Sequence, residues 1–322
     1  MTIHKNIEIL EDGKNNWSEK KEMSIALSDS FLRISRNNDN DIVSEYYHKK
    51  YIAISQCSNY LTFKQLENGS KKLIDARFCR LRLCPMCTWR RTKKTFSQVS
   101  KIIQKINKDK ERQYIFLTLT CKNVDGSDLK QQIKDLLQAF KKMMDGSSRI
   151  KKICKGYFRA LEVTRNSNGT YHPHIHIIIC VNKSYFTDKT YIKTKEWATI
   201  WQHYLNVTYT PVVYIEKATG TYKSIAELSK YSVKMKDIIL DSDEKTDANV
   251  IVLQQALHRV RLIGMGGLFK EYHKKLNLDD ITKDDVDLIN TDAETTDESL
   301  ATEILLKFKW TVGYNNYMLE KK

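Results

Sequence analysis

The stretch YFRALEVTR-NSNG-TYHPHIHIIICV, residues 157–181, decides the fold. Two runs rich in branched and aromatic residues flank four residues of turn chemistry, which predicts a β-hairpin. In the second run His174 and His176 lie one residue apart, so on a strand both side chains leave the same face while Ile175 points to the core. Two imidazoles make half of a metal site, and two such polar rings amid isoleucines demand a partner. Glu162, on the first run, is the third ligand candidate. It faces the histidines only if opposed residues sum to an even number, as 162 with 174. A three-residue or five-residue loop gives that register, whereas a two-residue Asn168-Gly169 turn points Glu162 away. Two imidazoles plus a carboxylate suit Mn²⁺ or Mg²⁺ with positions left open for phosphate oxygens. His172 shares the parity of 174 and 176, but Pro173 disturbs the strand there, so it is placed behind the ligands.

Outward from the hairpin the periodicity alternates between strand and helix. YIFLTLTC from Tyr114 reads as a strand, with Asp125-Gly126 as the turn after it. Residues 127–144 read as an amphipathic helix through Leu129, Ile133, Leu136, Leu137 and Phe140, capped by Ser127 or Asp128. After the hairpin come a helix with Trp197 and Trp201, a strand at VVYIEK (212–217) and a second helix over 224–240. The order predicts an α+β fold, a central antiparallel sheet flanked by helices. On that last helix, steps of four and three put Glu227, Tyr231 and Lys234 on one face. A phenol is a poor nucleophile at neutral pH and needs a cation or a metal-polarised phosphate to attack; Lys234 supplies the cation. Taken without the HxH strand, such a helix pattern is commonly structural.

Upstream, Cys84-Pro-Met-Cys87 is a CxxC, Cys79 lies five residues before it, and Cys57 supplies a fourth thiol. Four thiolates suit a closed tetrahedral Zn²⁺ site. Cys57 is the weakest of the four, because a single Cys is often a small buried apolar group. The adjoining CTWRRTKK, with Trp89, Arg90, Arg91, Lys93 and Lys94, offers either a basic, aromatic platform for DNA or a solvated helix start. The expected organisation is a polar arm over 1–50, a Cys-rich zinc module with a basic helix over 51–110, a main domain over 111–275, an acidic linker over 276–302 and a C-terminal strand segment over 303–322.

Composition bounds the rest. At 322 residues with 41% hydrophobic residues the chain can bury a core, and no apolar run approaches the roughly 18 residues of a membrane span. The charged opening lacks the apolar stretch of a secretory signal, so a cytoplasmic protein without a membrane partner is expected. Net charge is +15, yet Asp279 to Glu303 holds ten acids against one base, Lys283. That segment carries −9 and the remainder +24, a balance that favours an anionic partner such as nucleic acid.

Together, CRLRLCPMCTWRR from Cys79, FLTLT (116–120), HPHIH (172–176), ELSKYSVK (227–234) and RLIGMGGLFK (261–270) resemble the HUH endonucleases. Within them the match is to rolling-circle plasmid replication initiators of Gram-positive type. The resemblance implies that Tyr231 attacks a phosphodiester at the plasmid's double-strand origin, leaving a 5′-phosphotyrosine and a free 3′-OH for the host polymerase. It implies that His174 and His176 hold the divalent metal, and that Glu227 activates water in termination. In conjugative relaxases the nucleophilic Tyr usually precedes the His motif; here it follows. No GxxxxGK[ST] occurs, GMGG (264–267) reads as a turn, and unwinding is therefore assigned to a host helicase. A homodimer is left open. Two readings compete: a zinc-ribbon DNA-binding regulator without chemistry, and a transposase or mobilisation relaxase of the same fold.

Overall fold

The computed structural model describes residues 8–11, 16–218, 225–226, 233–283, 285–291 and 301–320. In chain order its main elements are α1 (Trp17–Arg36), α2 (Asp41–Ser55), β1 (Tyr60–Leu66), β2 (Lys71–Ala76), α3 (Pro85–Asp109) and β3 (Arg112–Thr120). There follow α4 (Leu129–Gly146), α5 (Ser148–Ile153), β4 (Gly156–Arg165), β5 (Tyr171–Asn182), α6 (Thr194–Leu205) and β6 (Val213–Lys217). The last are α7 (Asp243–Ala256), β7 (Ile263–Gly267), α8 (Leu268–Lys275), β8 (Ala301–Thr311) and β9 (Asn316–Leu319). The α+β class with antiparallel sheets is as expected. The chain divides into two compact units, one of residues 1–94, 239–250 and 283–322, the other of 95–238 and 251–282.

The first unit carries a four-stranded antiparallel sheet in the order β2-β1-β8-β9. Where the sequence suggested a polar arm, α1 and α2 form. The buried stripe of α1 runs Trp17, Lys21, Ser24, Leu27, Ser28, Phe31, Ile34 and Ser35 at helical spacing, but half of it is polar, so the apolar pattern is thin. Asn40 caps α2 by accepting from the Ile42 and Val43 backbone N–H groups. Trp17 packs edge-on to Trp89 at 4.6 Å and Phe63 at 5.8 Å, and Phe63 in turn meets Phe308 of β8. Residues 285–291 are not a solvated linker: Val286, Leu288 and Thr291 are buried while Asp285 and Asp287 face out.

The second unit is built on a five-stranded antiparallel sheet in the order β6-β3-β5-β4-β7. One face carries Phe116, Phe158, Ile178 and Cys180 beneath Val99, Ile102, Ile103 and Ile106 of α3 and Phe269 and Tyr272 of α8. The opposite face carries the alternate residues Ile115, Leu117, Leu161, Ile175, Ile177 and Ile179, all buried. The hairpin loop is Asn166–Thr170, five residues between the Arg165–Tyr171 pair, with Gly169 at φ +89° where a left-handed residue is needed. That loop sets Glu162 directly opposite His174.

GMGG is a strand here, not a turn, and its pairing shows why glycine stands there. Gly266 lies opposite Tyr157, and a Cβ at 266 would come within 2.3 Å of the Tyr157 ring. Gly264 lies likewise against the Arg159 side chain. The glycines leave room for large neighbours on β4. The helix expected over 224–240 falls mostly outside the described residues. Its described end is a short 3-10 turn, Met235–Asp237, entered through an extended Lys234.

Candidate metal centres

The Glu162 carboxylate, 4% exposed, is met from three sides within the second unit. Its Oε2 lies 3.0 Å from His176 Nε2 and 3.5 Å from His174 Nε2, and its Oε1 lies 2.9 Å from Lys234 Nζ. Burial, the largest single influence, pushes this carboxyl's pKa up. The hydrogen bonds of His174, His176 and Lys234 together outweigh it and hold the pKa well below the usual carboxylate range.

Both imidazoles are held by their other nitrogen. His174 Nδ1 donates to the His172 carbonyl at 3.1 Å, which leaves Nε2 with the lone pair when the ring is neutral. His176 Nδ1 meets Thr118 Oγ1 at 2.9 Å, its cross-strand partner on β3. A lone pair on Nε2 facing a carboxylate oxygen at this range is repulsive unless something positive lies between them, a proton or a metal ion. Glu162, His174 and His176 offer one oxygen and two nitrogens within 4.8 Å of one another, a donor set that fits a small divalent cation. His172 stands behind: its ring stacks on His174 at 5.2 Å and its Nδ1 meets Asn123 Oδ1 at 2.8 Å. Burial and then the neighbouring His174 lower the His172 pKa.

Lys234 reaches the cluster from an extended backbone rather than from a helix face. Tyr231 and Glu227 lie outside the described residues.

In the first unit Cys57, Cys79, Cys84 and Cys87 converge, so Cys57 joins the other three. Sulfur pairs 57–87 and 79–87 are 3.6 Å apart and 57–84 is 3.7 Å apart, too long for disulfides of about 2.05 Å. A tetrahedral ion with metal–sulfur bonds of about 2.3 Å requires sulfur–sulfur edges of roughly 3.8 Å, close to what is observed. Backbone N–H groups support the sulfurs, Cys79 N to Cys57 Sγ at 3.4 Å and Arg80 N to Cys87 Sγ at 3.1 Å, the latter with Arg80 at φ +61°. The buried Lys21 ammonium donates to the Ser55 and Cys57 carbonyls and to Asn59 Oδ1. Burial lowers its pKa, and the charges of Cys57, Cys84 and Cys79 oppose that. A tetrathiolate around a divalent ion carries two net negative charges, and Lys21 offsets one. Sequence reasoning missed Lys21, whose only signal was a lysine in phase with a buried stripe.

A family model described as "Replication protein" matches residues 70–318. The chain belongs to this family. It is a plasmid replication initiator of Gram-positive type, and its similarity to curated relatives runs nearly end to end. A "Protein rep" of Bacillus amyloliquefaciens is 36% identical over 330 residues, covering 95% of this chain and 94% of the relative. One of Streptococcus pneumoniae serotype 2 (strain D39 / NCTC 7466) is 35% identical over 315 residues, covering 95% and 92%. One of Lactiplantibacillus plantarum is 32% identical over 334 residues, covering 97% and 99%. No solved structure matches.

The initiator's basic run beside the CxxC is placed differently from the DNA platform expected of it. Arg90 is fully buried, donating from Nε to the Leu288 carbonyl at 2.8 Å and from Nη2 to that of Ile289 at 2.6 Å. Lys94 is 1% exposed and donates to the Asp287 and Asn290 carbonyls. Trp89 is buried against Trp17. Arg90 and Lys94 hold residues 287–290 in place, and all three side chains are packed rather than presented as open surface. Arg91 and Lys93 stay half-buried, Arg91 donating to the Lys283 and Arg80 carbonyls and Lys93 lying over the Trp89 ring. No helix among the initiator's described residues is long and apolar enough to cross a membrane.

Proposed function

We propose that this initiator nicks one strand of its plasmid's double-strand origin by tyrosine transesterification, in the cytoplasm, at the Glu162–His174–His176 cluster. The observation that carries the reading is the convergence of one carboxylate oxygen and two Nε2 atoms, each imidazole held through Nδ1. A bound Mn²⁺ or Mg²⁺ would polarise the scissile phosphate and offset its developing charge. Tyr231 Oη attacks phosphorus, forming the phosphotyrosine bond to the 5′ side. The bond to the 3′ oxygen breaks, and that oxygen leaves as a free 3′-OH while the phenol proton passes to it through solvent. Lys234 holds Glu162 Oε1 and puts an ammonium beside the reacting phosphate. In termination Glu227 takes a proton from the water that attacks the phosphodiester at the regenerated nick site. That bond breaks to a 5′-phosphate and a 3′-OH, and the 3′-OH attacks the phosphotyrosine, rejoining the strand and releasing the Tyr231 phenol with the proton. The energy of the phosphodiester stays in the protein–DNA bond, so rejoining needs no nucleotide. The 3′-OH then primes the host polymerase while a host helicase unwinds.

The Cys57–Cys79–Cys84–Cys87 cluster we assign to structural Zn²⁺, from its four sulfurs and near-tetrahedral edges.

The test is a labelled single-stranded oligonucleotide spanning the nick site, incubated with full-length protein and Mn²⁺. Wild type is expected to form a covalent adduct stable to denaturing electrophoresis, and Tyr231→Phe to bind the DNA without forming it. An adduct with Tyr231→Phe rules out this nucleophile. No cleavage by wild type at any site favours a DNA-binding regulator instead.

A further inference from the structure

On the face of the five-stranded sheet that carries the metal cluster, one end lies under helices and the other holds the cluster. At the covered end Phe116, Ile178 and Phe158 lie under α3 and α8. At the cluster end the cross-strand rows continue outward to the edge strand β6. One row reads Tyr214, Thr118, His176, from the registers Thr118↔Tyr214 and Thr118↔His176. Directly opposed residues of antiparallel strands share a face, so the Tyr214 phenol rises from the same surface as the imidazole ligand. The neighbouring row holds Thr120, His174 and Glu162, with Val212 at its outer end, where the Thr120 hydroxyl donates to the Val212 carbonyl at 2.8 Å.

Tyr214 is 54% exposed and Val212 72%. An exposed strand tyrosine is ordinarily just a solvated residue. This one differs because its row leads to a metal ligand two strands away, roughly 10 Å at the usual strand spacing. It differs also in being held: its hydroxyl donates to Glu216 Oε2 at 2.7 Å, the next residue on the same face, so the ring is oriented before anything binds. The Glu216 carboxylate repels phosphate at this spot but can accept from base amino groups. The sugar–phosphate chain is thereby directed toward the cations at Glu162 and the bases toward the β6 edge.

We infer that Tyr214, flanked by Val212 and Glu216, is a base-stacking shelf for the single DNA strand whose phosphate lies at the Glu162–His174–His176 cluster. This rests on the nicking site proposed above and adds the surface that holds the strand beside it. Stacking on an aromatic face is tolerant of sequence and contributes enough per base to move affinity about tenfold. Tyr214 is a positioning residue in this reading, since it touches a base and not the reacting atoms.

The experiment measures binding of fluorescein-labelled dT20, and of an abasic 20-mer of equal charge, without added divalent ion. The proteins are Tyr231→Phe, Tyr231→Phe/Tyr214→Ala and Tyr231→Phe/Tyr214→Phe, so the outcome does not depend on cleavage. Tyr214→Ala is expected to weaken dT20 binding about tenfold and leave abasic binding unchanged, while Tyr214→Phe, which keeps the ring but not its tether to Glu216, loses less than half of that factor. A 2-aminopurine strand is expected to be quenched on binding by the parent and the Tyr214→Phe protein and to lose that quench with Tyr214→Ala. Unchanged dT20 affinity in Tyr214→Ala, or an equal loss on the abasic strand, overturns the shelf. Failure of the nicking reading would show separately, as absence of an adduct from wild type with Mn²⁺.

Discussion

Thr118 is where a single hydroxyl bears on the Glu162–His174–His176 cluster. Its 2.9 Å contact with His176 Nδ1 fixes the orientation of the ring and so aims Nε2 at Glu162. Thr118→Val keeps the β-branched shape and removes the hydroxyl. It should weaken Mn²⁺ binding about tenfold by titration followed by electron paramagnetic resonance, and Thr118→Ser should restore it. The buried thiols give a second residue-level expectation. Burial pushes Cys121 and Cys154 up to about 12 and Cys180 to about 11, above the ordinary thiol value. A folded-state pKa raised this way contributes stability that is whole below the unfolded value near 9 and is lost as pH rises toward the folded one. Melting temperature should therefore fall between pH 9 and 11. Cys180→Ala should show a shallower fall, by at most about 1.4 kcal/mol of stability per pH unit. At this scale the grouping of Glu162, His174 and His176 was half legible: alternation on a strand puts 174 and 176 on one face, while the side on which Glu162 fell depended on a loop length the sequence left open. Arg90 and Lys94 were not. Sequence shows their charge but cannot show that their partners are backbone carbonyls of residues 287–290, nearly two hundred positions away.

Elements were legible where one periodicity dominated, as in β3, α4, the β4–β5 hairpin and α6. They were misread where small or polar residues did the packing. The serine-rich stripe of α1 carries too little apolar signal to mark a buried helix face. The glycines of β7 read as a turn because glycine's preference for turns outweighs what a strand reading could set against it. Their pairing with Tyr157 and Arg159 reverses that, and the two critical glycines differ in kind. A Cβ at Gly266 meets the Tyr157 ring, which can shift, whereas one at Gly267 meets the Lys155 carbonyl oxygen at 2.4 Å. Gly267 also sits at φ +54°, where a side chain is strained. Gly267→Ala should thus destabilise more than Gly266→Ala, by about 1–3 kcal/mol against its parent in urea unfolding. The reverse order would mean that β7 relaxes away from β4 as a whole.

Across the whole chain the hardest feature to foresee was that its two ends build one sheet. β8 pairs with β1 from Tyr60↔Lys309 to Leu66↔Ala301, and no local pattern encodes a partner so distant in sequence. The C-terminal strands are part of the unit that holds the four cysteines. Phe308 and Tyr317 are wholly buried, and the Tyr317 hydroxyl donates to the Ser58 carbonyl at 2.7 Å, one residue after Cys57 of the sulfur cluster. Removing residues 301–322 would strip β1 of one of its two neighbours and expose a long hydrogen-bonding edge above an opened aromatic core. The truncated chain is expected to aggregate and to carry less than one equivalent of zinc by elemental analysis. Full-length Cys57→Ser should also lose zinc, yet keep β8 in place and stay more soluble than the truncation. If the truncated chain instead stays soluble with zinc bound, the cysteine cluster is sustained by α1, α2 and the β1–β2 pair alone, and β8–β9 is an addition to a unit already complete.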